Sequence, residues 1–349
     1  MNRSVVSVII VNFNGGPLLS KVVASVLCST IPVEVFVSDN GSTDGSLTSL
    51  RKLAITDARL RIIENRKNLG FARANNVVLE QVQSEYVLLL NPDAVVKPDT
   101  VARMLEALSA HPDVGMAGCL LRNPDGTEQA GCRRSVPTPW RTLVRVLHFD
   151  RLIPNHPRFR YFVMTQQPLP ERPVYLEAIS GAFMFVRRKA LQDVGFLDDN
   201  YFVHCEDLDW CMRFHQAGWK ILFVPHVEAV HYRGMCSKNR PILVLWHKHR
   251  GMIRFYRKFF RRQYPWPIML LVMAAVWTRF VLLAGLTFFE RREPNEFANE
   301  KQDRAGLRPD AEEKAIKLFD IDLGADTAKI DPMLVISNTE AKPPYSRLP

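Results

Sequence analysis

None of the six cysteines stands in a C-x-x-C pair or at zinc-site spacing, so the chain carries no sign of a disulfide framework or a zinc ribbon. The thiols are expected to be reduced and mostly buried, in a cytosolic compartment. The N-terminus lacks both the long apolar run and the small-residue cleavage site of a secretion signal, and Val5 to Val11 reads as a first strand. The loop after that strand, Asn12-Phe13-Asn14-Gly15-Gly16, lacks basic residues. That argues against a triphosphate cradle, and hence against a nucleotidyltransferase. What the chain does have is length and core: 349 residues with 47% hydrophobic content exclude wholesale disorder and predict a large globular body.

From Val5 to about Leu121 short apolar, β-branched runs alternate with helical periods. Strands are expected at Val5 to Val11, Val33 to Ser38, Leu60 to Glu64, Tyr86 to Leu90 and Val114 to Leu121. Helices are expected at about 16–28, 43–53, 70–82 and 98–110. Strands apolar at nearly every residue indicate a parallel α/β sheet covered on both faces, with ligands at the carboxyl ends of its strands. Polar turns follow three of those ends: Asn12 to Gly15, Asp39 to Gly45, and Asn91-Pro92-Asp93. Residues 122–173 are irregular and proline-broken and read as a loop with short helices over the crevice. Beyond them an apolar run, Val174 to Val186, precedes a helix at about 187–193, a helix at about 206–217 and a strand Lys220 to Val224.

Two turns and one helix start carry the chemistry. A carboxylate at a strand end, such as Asp39, suits a nucleobase or ribose, while Ser42 or Thr43 suits a helix cap. Asp93 can hold a divalent cation whose other ligands are diphosphate oxygens and water, or simply form an Asx turn. Glu206, Asp207 and Asp209 crowd three carboxylates into four residues. Such a cluster fits a general base or cation site, although acids also complement a helix N-terminus. His231 after a strand is either structural or a ligand, and Trp210 and Trp219 read as core rather than as sugar platforms.

In order, Ser7-Val-Ile-Ile-Val-Asn-Phe-Asn-Gly15, Ser38-Asp-Asn-Gly-Ser-Thr-Asp-Gly-Ser46, Asn68-Leu-Gly-Phe-Ala-Arg-Ala-Asn-Asn76, Leu88-Leu-Leu-Asn-Pro-Asp93, Gly181-Ala-Phe-Met-Phe-Val-Arg187 and Glu206-Asp-Leu-Asp-Trp-Cys-Met-Arg213 closely resemble family 2 glycosyltransferases. The likeness covers about residues 4–260 and is strongest to the rhamnosyltransferase-like branch. It implies the GT-A fold, a Rossmann-like mixed sheet flanked by helices. It also implies roles. Asn12, Asn14, Asp39, Asn40, Arg73 and Asn91 would hold a nucleotide-diphosphate sugar. Asp93 and His231 would hold Mg2+ or Mn2+. Asp207, paired with Glu206, would be the catalytic base of an inverting transfer. Asn91 stands where the family's D-x-D motif has its first Asp.

The C-terminal part adds a membrane reading. Of the net charge of +10, residues 241–292 contribute ten Lys/Arg against one acid, interleaved with aromatics. This suits anionic lipid and not nucleic acid. Leu243 to Arg262 reads as an amphipathic helix, with Met252, Phe255, Tyr256 and Phe259 on one side and Arg250, Arg254, Arg257 and Arg261 on another. Ile268 to Phe289 is long enough to span a bilayer but carries Arg279 near its middle, which favours a re-entrant or interfacial helix. The expected division is a catalytic domain at 1–240, a membrane-associating segment at 241–292 and a weakly ordered tail at 293–349. The expected setting is the cytoplasmic face of the inner membrane, peripheral or monotopic, with a lipid-linked saccharide as acceptor. The rival reading is a membrane-associated protein that binds a nucleotide sugar without turnover.

Overall fold

The apolar runs of the first 122 residues become the strands expected of them. The computed structural model describes residues 6–146, 164–232 and 241–290. In it β1 (Val6–Asn12), β2 (Val33–Asp39), β3 (Leu60–Glu64), β4 (Tyr86–Leu90) and β6 (Val114–Arg122) are interleaved with helices, and a short β5 (Ala94–Val96) follows β4. Every side chain of β1 and β4 is buried, as a sheet covered on both faces requires. The covering helices are α1 (Gly16–Leu27), α2 (Ser46–Thr56), α3 (Phe71–Leu79) and α4 (Thr100–Ser109). Each buries one stripe, such as Val101, Met104 and Leu108 in α4, at the three-to-four spacing of a helix face.

The sheet is mixed, as the resemblance implies: the five strands read from the run pattern share one direction, and the reversed strand comes from the apolar run after them. The Val174 to Val186 run is three short strands: β8 (Val174–Tyr175), β9 (Ala178–Ile179) and β10 (Phe183–Arg187). Strand order is β3-β2-β1-β4-β10-β6-β11-β5, with β8 also on β11 (Lys220–His231). β10 runs antiparallel to both β4 and β6, so it is inserted head-down between strands that share one direction. Its Phe-Met-Phe-Val sequence is as apolar as its neighbours', and burial on both faces leaves no trace of direction in a sequence. β9 pairs instead with β7 (Arg133–Arg134), forming a two-stranded ribbon beside the main sheet. After β7 comes α5 (Pro139–Val146), and a 3-10 turn spans Met164–Gln166; residues 147–163 of the expected loop lie outside the described set.

β11 is the other departure. The expected strand ended at Val224, just before Pro225; the observed one continues to His231 through a register shift between Val224 and Glu228. A bulge is where a strand tolerates proline. The continuation has a purpose in the fold, because its last residues pair with β5 and set His231 opposite Ala94, next to Asp93.

α6 (Arg188–Val194) and α7 (Glu206–Gln216) lead to α8 (Pro241–Phe260) and α9 (Trp266–Glu290). Residues up to Trp277 form one compact unit; a second begins at Thr278, and its described part is the end of α9. The aromatic side of α8 packs inward. Phe255, Tyr256 and Phe260 are buried, the Tyr256 hydroxyl meets Thr142 Oγ1 at 2.5 Å, and His247 stacks on Phe202. Two of its cations are engaged as well: Arg254 donates to Asp198, and Lys258 donates to both Asp198 and the fully buried Asp209. What α8 leaves outside is Ile242, Leu243 and Trp246 at its start, and Arg250 and Arg257. Trp266–Phe288 of α9 is 23 residues long and apolar enough to cross a membrane, by length and composition.

Candidate active site

At the carboxyl ends of β1 and β2 the polar residues build a rigid wall from one another. Asn12 Nδ2 donates to Asp39 Oδ1 at 2.8 Å, to Ser42 Oγ at 2.9 Å and to Ser46 Oγ at 3.0 Å, while its Oδ1 accepts from Gly15 N. Asp39, 2% exposed, accepts the backbone N–H groups of Gly41 and Ser42 on Oδ2, and the Ser42 hydroxyl as well as Asn12 on Oδ1. Asn14, at φ 54°, caps the same turn by accepting Thr43 N on its Oδ1. Asn40 ties β2 to the next loop, donating to Gly70 O and accepting from Asn65 Nδ2. Gly41 has φ 76°, and a Cβ there would press on the Arg66–Lys67 backbone at 3.2 Å. The Asp39 side chain therefore shapes the loop. Arg73 lies on the first turn of α3, exposed and without a hydrogen bond to any described residue.

A second cluster forms where β4 ends. Asp93 (5% exposed) places Oδ1 3.0 Å from His231 Nε2, and Asn91 Nδ2 is 3.3 Å from the same nitrogen. His231 Nδ1 meets Gln129 Oε1 at 2.6 Å, and the Gln129 amide donates to Asn123 Oδ1 and His231 O. Gln129 thus has only its oxygen to offer, so Nδ1 carries a hydrogen, and Nε2 is left facing Asp93, where a proton or a cation can lie between them. Two cis ligands of an ion held at about 2.1 Å stand about 3 Å apart, which matches this pair. No group of three or more His, Cys, Asp or Glu fit to hold a metal occurs among the described residues, so an ion here would take its remaining ligands from substrate oxygens and water.

The third cluster is the start of α7. His204 and Cys205 both have left-handed backbones, at φ 67° and 69°, strain that a non-glycine pair carries only under tight constraint. The constraint is packing: a Cβ added to Gly251 of α8 would lie 3.0 Å from His204 O. The three acids then separate. Asp209 is fully buried and ion-paired with Arg213 and Lys258. Glu206 is buried, its Oε2 has no partner among the described residues, and burial together with the neighbouring Asp207 pushes its pKa up to about 8. Asp207 alone reaches the crevice, accepting Gly181 N on Oδ2 at 3.1 Å and Leu208 N on Oδ1 at 2.8 Å. Arg134 Nη2 also donates to Asp207 Oδ2 and, at 3.1 Å, to Ile179 O.

The clusters meet through one turn. Asn91 N donates to Ala182 O, and the preceding Gly181 N donates to Asp207, so the Asp93–His231 pair and Asp207 flank the Gly181–Ala182 corner. Sequence reasoning missed Arg134 and Gln129. The Arg133-Arg134 doublet was visible, but in β7 successive side chains point to opposite sides: Arg133 goes to Glu128, Arg134 to Asp207. Only the ribbon's register says which one faces the site. Trp210 is core as expected, fully buried, while Trp219 is half-buried and donates to Asp193.

A mixed sheet of this order, with a hydrogen-bonded polar turn where β1 and β2 end and Asp207 the accessible acid of its cluster, has the GT-A fold. The family 2 glycosyl transferase model matches residues 7–195, and the chain belongs to that family of glycosyltransferases. It is 30% identical over 266 residues to the N-acetylglucosaminyl-diphospho-decaprenol L-rhamnosyltransferase of Mycobacterium tuberculosis, covering 72% of this chain and 83% of that one. It is 25% identical to the rhamnosyltransferase WbbL of Escherichia coli K12, over 47% and 61% of the two chains. Among solved structures, the mannosyltransferase of Pyrobaculum calidifontis in complex with GDP-Man and Mn2+ superposes with a TM-score of 0.52 at 19% identity, over 91% of this chain and 79% of that one.

Proposed function

We propose that the protein is an inverting glycosyltransferase that moves rhamnose from dTDP-rhamnose onto a lipid-diphosphate-linked saccharide at the cytoplasmic face of a membrane, in the synthesis of a cell-envelope polysaccharide. The observation that carries the reading is Asp207. Of the three clustered acids it is the one both accessible and fixed in orientation, and it stands across the Gly181–Ala182 corner from the Asp93–His231 pair.

In this reading the wall formed by Asn12, Asn14, Asp39 and Asn40 receives the nucleoside, with Asp39, whose acceptor positions are taken within the turn, holding the loop that lines it. Arg73 and Asn91 serve the diphosphate. Asp207 takes the proton of an acceptor hydroxyl as that oxygen forms its bond to the anomeric carbon. The bond from that carbon to the diphosphate oxygen breaks on the opposite face, so the centre inverts. Glu206 holds the proton of the Glu-Asp pair and leaves the negative charge to Asp207. A divalent ion at Asp93 and His231 would supply charge stabilisation for the departing diphosphate. The imidazole in the pair favours Mn2+ over the harder Mg2+. The mannosyltransferase with a like fold was solved with Mn2+, which supports the same need.

Rhamnose and the lipid acceptor rest on the mycobacterial relative, whose name gives both. The catalytic domain is residues 1–240, and 241–292 attach it to the membrane. Attachment falls to α9 and to the exposed start of α8, since the aromatic side of α8 is occupied by the protein itself. The test is a donor screen of detergent-purified protein with Mn2+ and a lipid-diphosphate-saccharide acceptor, reading released nucleoside diphosphate. Acceptor-dependent release from dTDP-rhamnose, above UDP-GlcNAc, UDP-galactofuranose and GDP-mannose, is expected; release from another donor would reassign the sugar.

A further inference from the structure

Arg134 is absent from every role so far, yet it is the residue in closest charge contact with Asp207. Its guanidinium sits on Asp207 Oδ2, whose other lone pair is taken by Gly181 N. Oδ1 is partly used by Leu208 N. Three of the four carboxylate lone pairs are thus committed, and the charge is spent on a cation. A base held this way is well placed but not free.

The arginine, by contrast, is only partly satisfied. Both of its hydrogen bonds to described residues come from Nη2, and its Nε is buried with no partner among them. Its backbone is anchored, because Arg133 beside it is locked by Glu128 and by the carbonyls of Gln167 and Pro168, and β7 is paired with β9. Its side chain is about one-fifth exposed. A guanidinium that has spare donors on a fixed stem, and that is partly exposed beside Asp207, can exchange one oxyanion for another. Diphosphate suits it better than a single carboxylate oxygen, since it accepts two parallel N–H groups.

We propose that Arg134 is a latch on the base: it pairs with Asp207 until an acceptor carrying a diphosphate enters, and then passes to that anion and frees the carboxylate. This rests on the acceptor and on the role of Asp207 proposed above. The consequence is chemical economy. Without acceptor, a water beside the donor meets a neutralised carboxylate, and the donor is not hydrolysed. With acceptor, the hydroxyl loses its proton to Asp207 as its oxygen bonds to the anomeric carbon and the nucleoside diphosphate leaves.

Two diphosphates enter the site, the donor's and the acceptor's, and the experiment separates them. Nucleoside diphosphate release is measured for the wild type, Arg134→Ala, Arg134→Lys and Asp207→Asn. Each is assayed with donor alone, with the lipid-diphosphate saccharide, and with the same saccharide as a neutral alkyl glycoside. Arg134→Ala is expected to hydrolyse donor about tenfold faster than the wild type without acceptor, and to lose the preference for the diphosphate-bearing acceptor by a similar factor. Arg134→Lys keeps the charge but not the fork, so its hydrolysis stays low while the preference weakens. A merely structural arginine would lower hydrolysis and transfer together and leave the preference intact, and that result would overturn the latch. So would wild-type hydrolysis as fast as that of Arg134→Ala with donor alone, which would mean that the donor's own diphosphate draws the arginine away. If Asp207→Asn transfers like the wild type, the proposed function fails before the latch is reached.

Discussion

The two walls of the crevice are built to opposite rules. On the side of β1 and β2 the buried polar groups answer one another: Asn12, Asp39, Asn40 and Ser42 use their hydrogen bonds within a few neighbouring turns. On the side of β7, β9 and α7, buried atoms go unanswered among the described residues, including Glu206 Oε2, Arg134 Nε and Tyr201 Oη. A satisfied network is stiff and costs energy to rearrange, whereas unsatisfied groups leave a site open to change. The comparison teaches that the first wall is a preformed mould and the second a working surface.

The comparison can be broken by changing one wall at a time. The largest effect is expected from Asp207→Asn, which removes the base without altering shape. Turnover should fall by about 10³-fold with nucleotide affinity within a few-fold, measured by transfer rate and by nucleotide titration. His231→Ala should cost about 100-fold in turnover, and the apparent Mn2+ affinity should fall with it, read from activity against Mn2+ concentration. Asn12→Ala acts on the mould and should appear chiefly as lost stability. It strips a donor from buried Asp39 and from two serines, at about 1–3 kcal/mol in a denaturant titration.

The smallest effect sharpens the contrast by pH. The folded pKa of Glu206 is raised from 4.5 to about 8 by burial, so the native state holds the proton more tightly than the unfolded chain does. Its contribution to stability is full below about pH 4.5 and is lost as pH rises through about 8. Glu206→Gln cannot ionise and should melt higher than the wild type at pH 9, with the gap closing as pH falls toward 4.5, by thermal scans.

The mould was legible in the sequence and much of the working surface was not, for physical reasons. Asp39 and Asn91-Pro92-Asp93 follow apolar runs directly, so their place at strand ends is a local fact. Asp207 was legible because three adjacent acids demand an explanation, but locally nothing tells which acid is salt-bridged inside and which faces out; Lys258, 49 residues on, decides that for Asp209. His231 was placed near Asp93 by resemblance alone, since the bulge at Pro225 hid the second half of its strand. Arg134 depends on the pairing of two dipeptides 45 residues apart, a register that no periodicity encodes. The amphipathic pattern of α8 was read correctly as a pattern, but an apolar face looks the same whether protein or lipid covers it.

The central claim is that Asp207 drives a single displacement at the anomeric carbon. Its most direct test is proton NMR of the product formed by the wild type and by Asp207→Asn from the donor identified in the screen. The account predicts one glycosidic product, with anomeric configuration opposite to the donor's, and none from the variant. Retention of configuration, or the same product formed at an undiminished rate by the variant, would contradict it.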